Sequence, residues 1–181
     1  MRNIKKLKFV HWFIFSLLFA PAIITLLSLL TYNVNDNSFF QYNSLIVNNK
    51  NLFGISGAII SDLLFRALGI VSYLIPLVFI VWSTRLVWKK VHISWFSIAT
   101  FPVLIINMCH LVSITINKNF YLFPHGFGGF VGKGLDETII HSFEKFPTMY
   151  INFISLFLCI VFLILTLRIN QKFFYVITFM F

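Results

Sequence analysis

Four long apolar runs dominate the chain: Val10 to Leu30, Gly69 to Leu86, Trp95 to Ser113 and Met149 to Leu167. Each is close to the roughly 20 residues that an α-helix needs to cross a hydrocarbon layer of about 30 Å. In a bilayer every spanning segment must satisfy its own backbone hydrogen bonds, so four separate runs of this length predict helices and not a barrel. The expected fold is all-α, a four-transmembrane-helix integral membrane protein with an anchor domain over residues 1–172. Between the first two runs the pattern changes twice. Thr31 to Phe53 is dense in Asn and Ser and reads as a solvated outer loop. From Gly54 to Leu68, Ile55, Ile59, Leu63 and Leu64 recur at helical spacing, with Asp62 and Arg66 as an i, i+4 pair. That combination predicts a short amphipathic helix lying along the interface and leading into the second span.

Finer features sharpen these elements. Pro76 falls inside the second run, where it removes a backbone donor and is expected to kink the helix. Trp82, Trp88 and Trp95 gather near one end of the second and third runs, as an interfacial aromatic belt would require. Asn107 and His110 lie three residues apart in the third run and so share a helix face, from which hydrogen bonding to a neighbouring helix is expected. Residues 173–181 are almost wholly apolar but too short to cross. They read as the start of a truncated cytoplasmic or interfacial segment, from an interrupted gene or a fragment of a longer product.

Composition agrees with the pattern: 59% of residues are hydrophobic and only 10% charged, with a mean hydropathy of +0.91. The net charge of +9 is informative through its placement. Arg2, Lys5, Lys6, Lys8, Arg85, Lys89, Lys90, Arg168 and Lys172 fall on one side of the spans. Asp36, Asp62, Asp136, Glu137 and Glu144 all fall on the other, with Lys50, Lys118, Lys133 and Lys145. The positive-inside rule then places both termini and the loop from Arg85 to His92 in the cytoplasm, as four spans also require. Basic residues at membrane ends are the ordinary product of topogenesis, so DNA binding by this segment is the weaker reading. Ala20-Pro21-Ala22 resembles a signal-cleavage site, but the apolar run continues to Leu30, which favours an uncleaved anchor.

Candidate chemistry is sparse. Phe127-Gly128-Gly129-Phe130-Val131-Gly132-Lys133-Gly134 imitates a phosphate-binding loop but has Phe127 in place of the first glycine and Gly134 in place of the magnesium-binding hydroxyl. A tightly turning or re-entrant outer loop is the better reading, with glycines that let backbones approach closely. His11, His92, His110, His125 and His141 make no i, i+4 pair, and Cys109 and Cys159 lie singly in apolar runs. Neither a nucleophile elbow nor a metalloprotease helix is present in the sequence. No catalytic residue, cofactor or metal site is assigned.

Thr31-Tyr32-Asn33-Val34-Asn35-Asp36-Asn37-Ser38, at the end of the first run, resembles the S-Y-N-P-x-D-P-S stretch that follows the first of four membrane helices in bacterial FtsK/SpoIIIE-type DNA translocases. The resemblance continues through Asn51, Gly54, Gly57, Ala58, Asp62-Leu63-Leu64-Phe65, Arg66, Gly69, Tyr73-Leu74 and Pro76 to Arg85-Leu86. It resumes at Pro124, Gly126, Gly128, Gly129 and Gly132, similar to the family's P-x-G-x-G-G-x-x-G segment. Both prolines of the first stretch are replaced, by Val34 and Asn37. The resemblance implies a membrane anchor and septal-targeting domain of a translocase acting in cell division and chromosome segregation, in the bacterial cytoplasmic (inner) membrane. It implies contacts with lipid, with further copies of itself and with divisome membrane proteins. It also implies DNA contact only through a hexameric ATP-driven motor that these 181 residues do not contain, so no enzyme activity is assigned to them. The competing readings are a small membrane transporter subunit and a stand-alone membrane scaffold. A transporter would normally use an intramembrane carboxylate, and none of the four runs carries one.

Overall fold

The computed structural model describes residues 2–41, 48–88, 93–116, 123, 125–142 and 147–167. Lys89, Lys90, His92, Lys118, Pro124, Glu144, Lys145, Arg168, Lys172 and the apolar stretch 173–181 lie outside the described residues. Among the described residues the chain forms α1 (Arg2–Leu30), α2 (Gly54–Leu68), a 3-10 turn (Gly69–Tyr73), α3 (Leu74–Trp88), α4 (Trp95–Thr115), α5 (Gly129–Ser142) and α6 (Thr148–Leu167). Four of these helical segments are long and apolar enough to cross a membrane. The expected all-α, four-span architecture is therefore present. α2, the 3-10 turn and α3 together give a helical path of 34 residues, Gly54–Val87. At 1.5 Å per residue that is about 50 Å, well beyond the ~30 Å hydrocarbon layer, so part of it lies outside that layer.

α1 packs along α3 and α4 along α6, while α2, the 3-10 turn and α5 bridge the two pairs at one end of the bundle. The interior mixes apolar side chains such as Leu29, Phe65, Leu104 and Ile105 with small polar ones. Ser28, Ser72, Ser83, Ser97, Thr100, Ser155 and Thr166 are buried, whereas Trp12, Phe13, Leu17, Phe153 and Phe157 point outward. Lipid tails are as apolar as any core, so burial alone does not drive helices together, and small residues that let them approach and hydrogen-bond stand among the apolar ones at the interfaces. At the end away from α2, Trp82 Nε1 donates to the Thr166 carbonyl at 3.1 Å and Thr100 Oγ1 lies 3.1 Å from Thr166 Oγ1. α4 starts on Ser94, whose side chain accepts from the Phe96 amide at 3.3 Å.

Several expectations change against the structure. Trp82 is buried rather than interfacial, because its indole N–H finds a carbonyl in the last turn of α6, where helix carbonyls lack partners. Trp95 is exposed, and the side chain of Trp88 lies outside the described ones. Pro76 kinks no helix interior: it is buried in the first turn of α3, where a missing N–H costs little, and the break lies just before it in the 3-10 turn. Gly129 to Ser142, read as loop, is the helix α5. The described parts of Thr31–Phe53 are only partly solvated, since Asp36, Asn37 and Asn51 are buried among exposed neighbours. On α2 the stripe of Ile55 and Leu63 faces outward, and Gly57, Ala58, Ser61, Asp62 and Phe65 are buried against the protein.

Candidate functional site

Most of the residues that carry the sequence resemblance converge at the bridged end of the bundle, in two adjoining structures, while Arg85 and Leu86 lie at the other end of α3. The first is a polar clasp over the end of α1. The last carbonyls of any α-helix have no partner within it. Here Asn51 Nδ2 donates to the Ser28 carbonyl at 2.8 Å and the Tyr73 hydroxyl donates to the Leu29 carbonyl at 3.2 Å. The Leu52 amide donates to Thr31 Oγ1 at 3.1 Å. Asp36 holds the strand of chain that delivers Asn51, its two carboxylate oxygens accepting from the amides of Lys50 and Asn51 at 2.8 Å each. Asn49 grips the backbone of Asn37 on both sides, accepting from its amide at 3.1 Å and donating to its carbonyl at 2.9 Å.

Asp62 on α2 is the hub of the clasp. Its Oδ1 accepts from the Tyr32 hydroxyl at 3.1 Å and from Arg66 Nε at 2.9 Å, and its Oδ2 accepts from the Ser38 hydroxyl at 2.6 Å. The Asp62–Arg66 pair expected from the sequence is thus one arm of a larger network. The Arg66 guanidinium also lies over the Phe40 ring, 5.1 Å from its centroid. Burial pushes the Tyr32 phenol well above its ordinary range, the Asp62 carboxylate and the hydrogen bond to it push it further, and Arg66 opposes. Tyr32 therefore stays a donor to Asp62 through the physiological range. Tyr32, Phe65, Tyr73 and Phe123 pack edge to face beneath this network, with centroids 4.8 to 5.6 Å apart. Gly57 is required because a Cβ there would overlap the Asn51 side chain.

The second structure is a glycine joint between the start of the 3-10 turn and the start of α5. Gly69 and Gly129 both have positive φ, 60° and 64°, and their backbones meet. A Cβ on Gly69 would overlap the Phe127 carbonyl, and one on Gly129 would overlap the Ala67 carbonyl. The Ile70 amide donates to the Phe127 carbonyl at 2.9 Å, locking the contact. Gly128 and Gly132 then lie directly on the Cys109 carbonyl of α4. Gly54 and Gly126 have open space around them and positive φ of 59° and 83°, so they serve turn geometry. Pro76 lies in the adjoining first turn of α3, and Arg85 stands in its last turn, at the other end of that helix.

Ser28 and Ser61 belong to the clasp and carry no sequence signal, since isolated serines in an apolar chain have no periodicity, whereas Ser38 closes the stretch that carries the resemblance. A third polar group, Asn107, His110, Ser155 and Cys159 between α4 and α6, realises the expected shared face of Asn107 and His110. In the clasp, Tyr32, Ser38 and Arg66 converge on Asp62 while Asn51 reaches back to the end of α1, so the arrangement clamps three chain segments together. Among the described residues no group of three His, Cys, Asp or Glu side chains is placed to hold a metal ion.

A profile of the 4TM region of DNA translocase FtsK/SpoIIIE matches residues 7–174. The chain is 32% identical over 133 residues to the DNA translocase FtsK of Rickettsia typhi, covering 73% of this chain and 16% of that protein. It is 30% identical over 105 residues to the protein of that name from Rickettsia prowazekii, covering 58% and 13%. It is 26% identical over 141 residues to that from Rickettsia bellii, covering 78% and 18%. The chain thus spans less than a fifth of the length of these curated relatives. No solved structure matches it.

Proposed function

Because this chain belongs to the FtsK/SpoIIIE DNA translocase family, as its four-span membrane region, we propose that it is the mount that fixes an FtsK-like translocase in the inner membrane at the division septum during chromosome segregation. The observation that carries this reading is the match of nearly the whole chain to the 4TM region and to no motor. A motor that pulls DNA loads its anchor with an equal and opposite force. Four spanning helices resist extraction far better than a lipid chain or an interfacial helix. The charge bias orients the mount with both termini in the cytoplasm, on the side where DNA and ATP are found. The clasp and glycine joint then lie on the outer side. They stiffen the mount by tying the α1/α3 pair to the α4/α6 pair, and their outward apolar residues Phe39, Leu52, Ile55 and Leu63 offer surface for lipid, for further copies of the chain and for divisome membrane proteins.

The test is localisation in dividing cells of the chain fused to a fluorescent protein, beside a variant with Asp62→Ala. Concentration of the fusion at the septum, reduced in the clasp variant while membrane insertion persists, is the expected outcome. Uniform labelling of the cell periphery by the unaltered chain would overturn septal targeting by this region.

A further inference from the structure

Between α4, α5 and α6 lies a cavity of about 290 Å³, whose walls include Asn107 and His110 of α4, Ile139 of α5, and Ile154, Ser155 and Leu158 of α6. It exists because α4 packs against both α5 and α6, while α5 and α6 touch each other little among the described residues. The polar groups in its walls largely serve one another. Asn107 Oδ1 accepts from Ser155 Oγ at 3.1 Å and from Cys159 Sγ at 2.9 Å, and His110 Nδ1 lies 3.3 Å from Ser155 Oγ. The other ring nitrogen of His110 is buried and out of reach of the cavity. Asp136, which acts on that ring from α5, is not part of the walls. An occupant therefore meets a surface that is almost entirely hydrocarbon. Such a cavity does not hold ordered water, which needs two to four polar partners, and leaving it empty forfeits the dispersion contacts of its lining.

The position of the cavity says what fills it. Its rim on α6 is formed by Tyr150 and Ile154, 62% and 61% exposed, and runs without a break into Phe153 and Phe157, which also point outward on a membrane span. Ile154 and Leu158 stand six and ten residues into α6, about 9 and 15 Å along its axis. On a helix that just crosses a layer of ~30 Å, both are at the depth of acyl chains and below that of headgroups. The medium at the mouth of the cavity is thus the lipid tails that already cover the outward face of α6. We propose that the cavity is the seat of one phospholipid acyl chain, which enters past Ile154 and lies between Ile139 of α5 and Leu158 of α6. The chain takes the place of the side-chain contact that α5 and α6 lack, and so makes lipid part of the packing that holds α5 against α4.

The test uses the full chain, deuterated except at its Ile and Leu methyl groups, in nanodiscs of phosphatidylcholine with ordinary protonated acyl chains. The readout is NMR magnetisation transfer from acyl methylenes, and separately from water, to each methyl. Ile160 and Ile164, which point outward on α6, meet bilayer lipid in any case and serve as the reference. Ile139 and Leu158 should receive transfer from acyl methylenes as strongly as the reference methyls and none from water. Leu158→Trp, which fills the cavity, should abolish the acyl transfer at Ile139 and leave that at Ile164 unchanged. Acyl transfer confined to Ile160 and Ile164 overturns the proposal, and so does transfer from water to Ile139 or Leu158. Acyl transfer to Ile139 that persists in Leu158→Trp overturns it as well, because the chain would then reach Ile139 by another route. The unaltered chain decides the matter even where the variant fails to fold.

Discussion

Asp62 is the residue on which most depends at the smallest scale, since three donors from three places in the sequence meet on one carboxylate with 4% side-chain exposure. Removing it leaves the Tyr32 hydroxyl, the Ser38 hydroxyl and the Arg66 guanidinium without their acceptor at once. Asp62→Ala is expected to destabilise the protein by about 3–5 kcal/mol, the range for breaking a buried ionic network from one side. Tyr32→Phe, which removes one donor and leaves the ring packed on Phe65, should cost only about 1 kcal/mol. Denaturant titration of the protein in detergent micelles checks both, and equal losses for the two variants would refute the hub. Asp136 on α5 behaves differently. Burial raises its carboxyl above the ordinary range, His110 opposes that shift and Glu137 reinforces it. A raised carboxyl binds more protons folded than unfolded, so its contribution to stability falls as pH rises above about 4 and through its folded value. Asp136→Asn should flatten that part of the stability profile and leave the protein more stable at neutral pH, which thermal unfolding across pH would reveal.

At the scale of elements, the joint between the 3-10 turn and α5 decides how the two helix pairs are held. Gly54→Ala and Gly126→Ala face only the cost of a left-handed backbone, about 1–2 kcal/mol, because nothing crowds the added carbon. Gly69→Ala and Gly129→Ala carry that cost and also force apart two backbones that cannot yield as a side chain would. They are expected to lose roughly 3 kcal/mol or more, with the joint opening first. Pro76→Ala should change stability by less than about 1 kcal/mol, since the proline ends no continuous helix. Hydrogen exchange at the Ile70 amide, which donates across the joint, distinguishes the two classes of glycine. Faster exchange in Gly69→Ala but not in Gly54→Ala is the expected pattern. The existence of four spans was legible from run length alone, but α5 was not. Its residues Gly129 to Ser142 include four acidic or basic or imidazole side chains and three glycines among fourteen positions, a composition that reads as loop until the glycines are seen to be contact surfaces.

For the molecule as a whole, orientation is the property that the proposed role most needs. Both native cysteines are buried, Cys109 at 0% and Cys159 at 2% exposure, so a single added cysteine reports its own position. Asn35→Cys, on an exposed residue of the clasp loop, should react with a membrane-impermeant maleimide on intact spheroplasts, and Ser94→Cys, before α4, only after lysis. The reverse pattern would invert the mount and sink its proposed coupling to a cytoplasmic motor. The pairing of α1 with α3 and α4 with α6 was not legible, because helices in lipid choose neighbours through small polar contacts such as Thr100 with Thr166, which leave no periodic trace.

The sequence by itself determined the number and approximate limits of the spans, the helix before the second span and the motif string that links the chain to its family. All of these follow from the cost of placing charges and unpaired backbone in hydrocarbon, a cost that is read residue by residue. Only the tertiary structure decided that Asp36 and Asn51 are buried, that Tyr32 and Ser38 join Arg66 on the Asp62 carboxylate and that Gly69 meets Gly129. Each of those depends on a hydrogen bond or backbone contact between residues 10 to more than 50 positions apart, and such bonds are worth about 1 kcal/mol each and act over about 3 Å, so their partners are chosen by packing and not by sequence pattern.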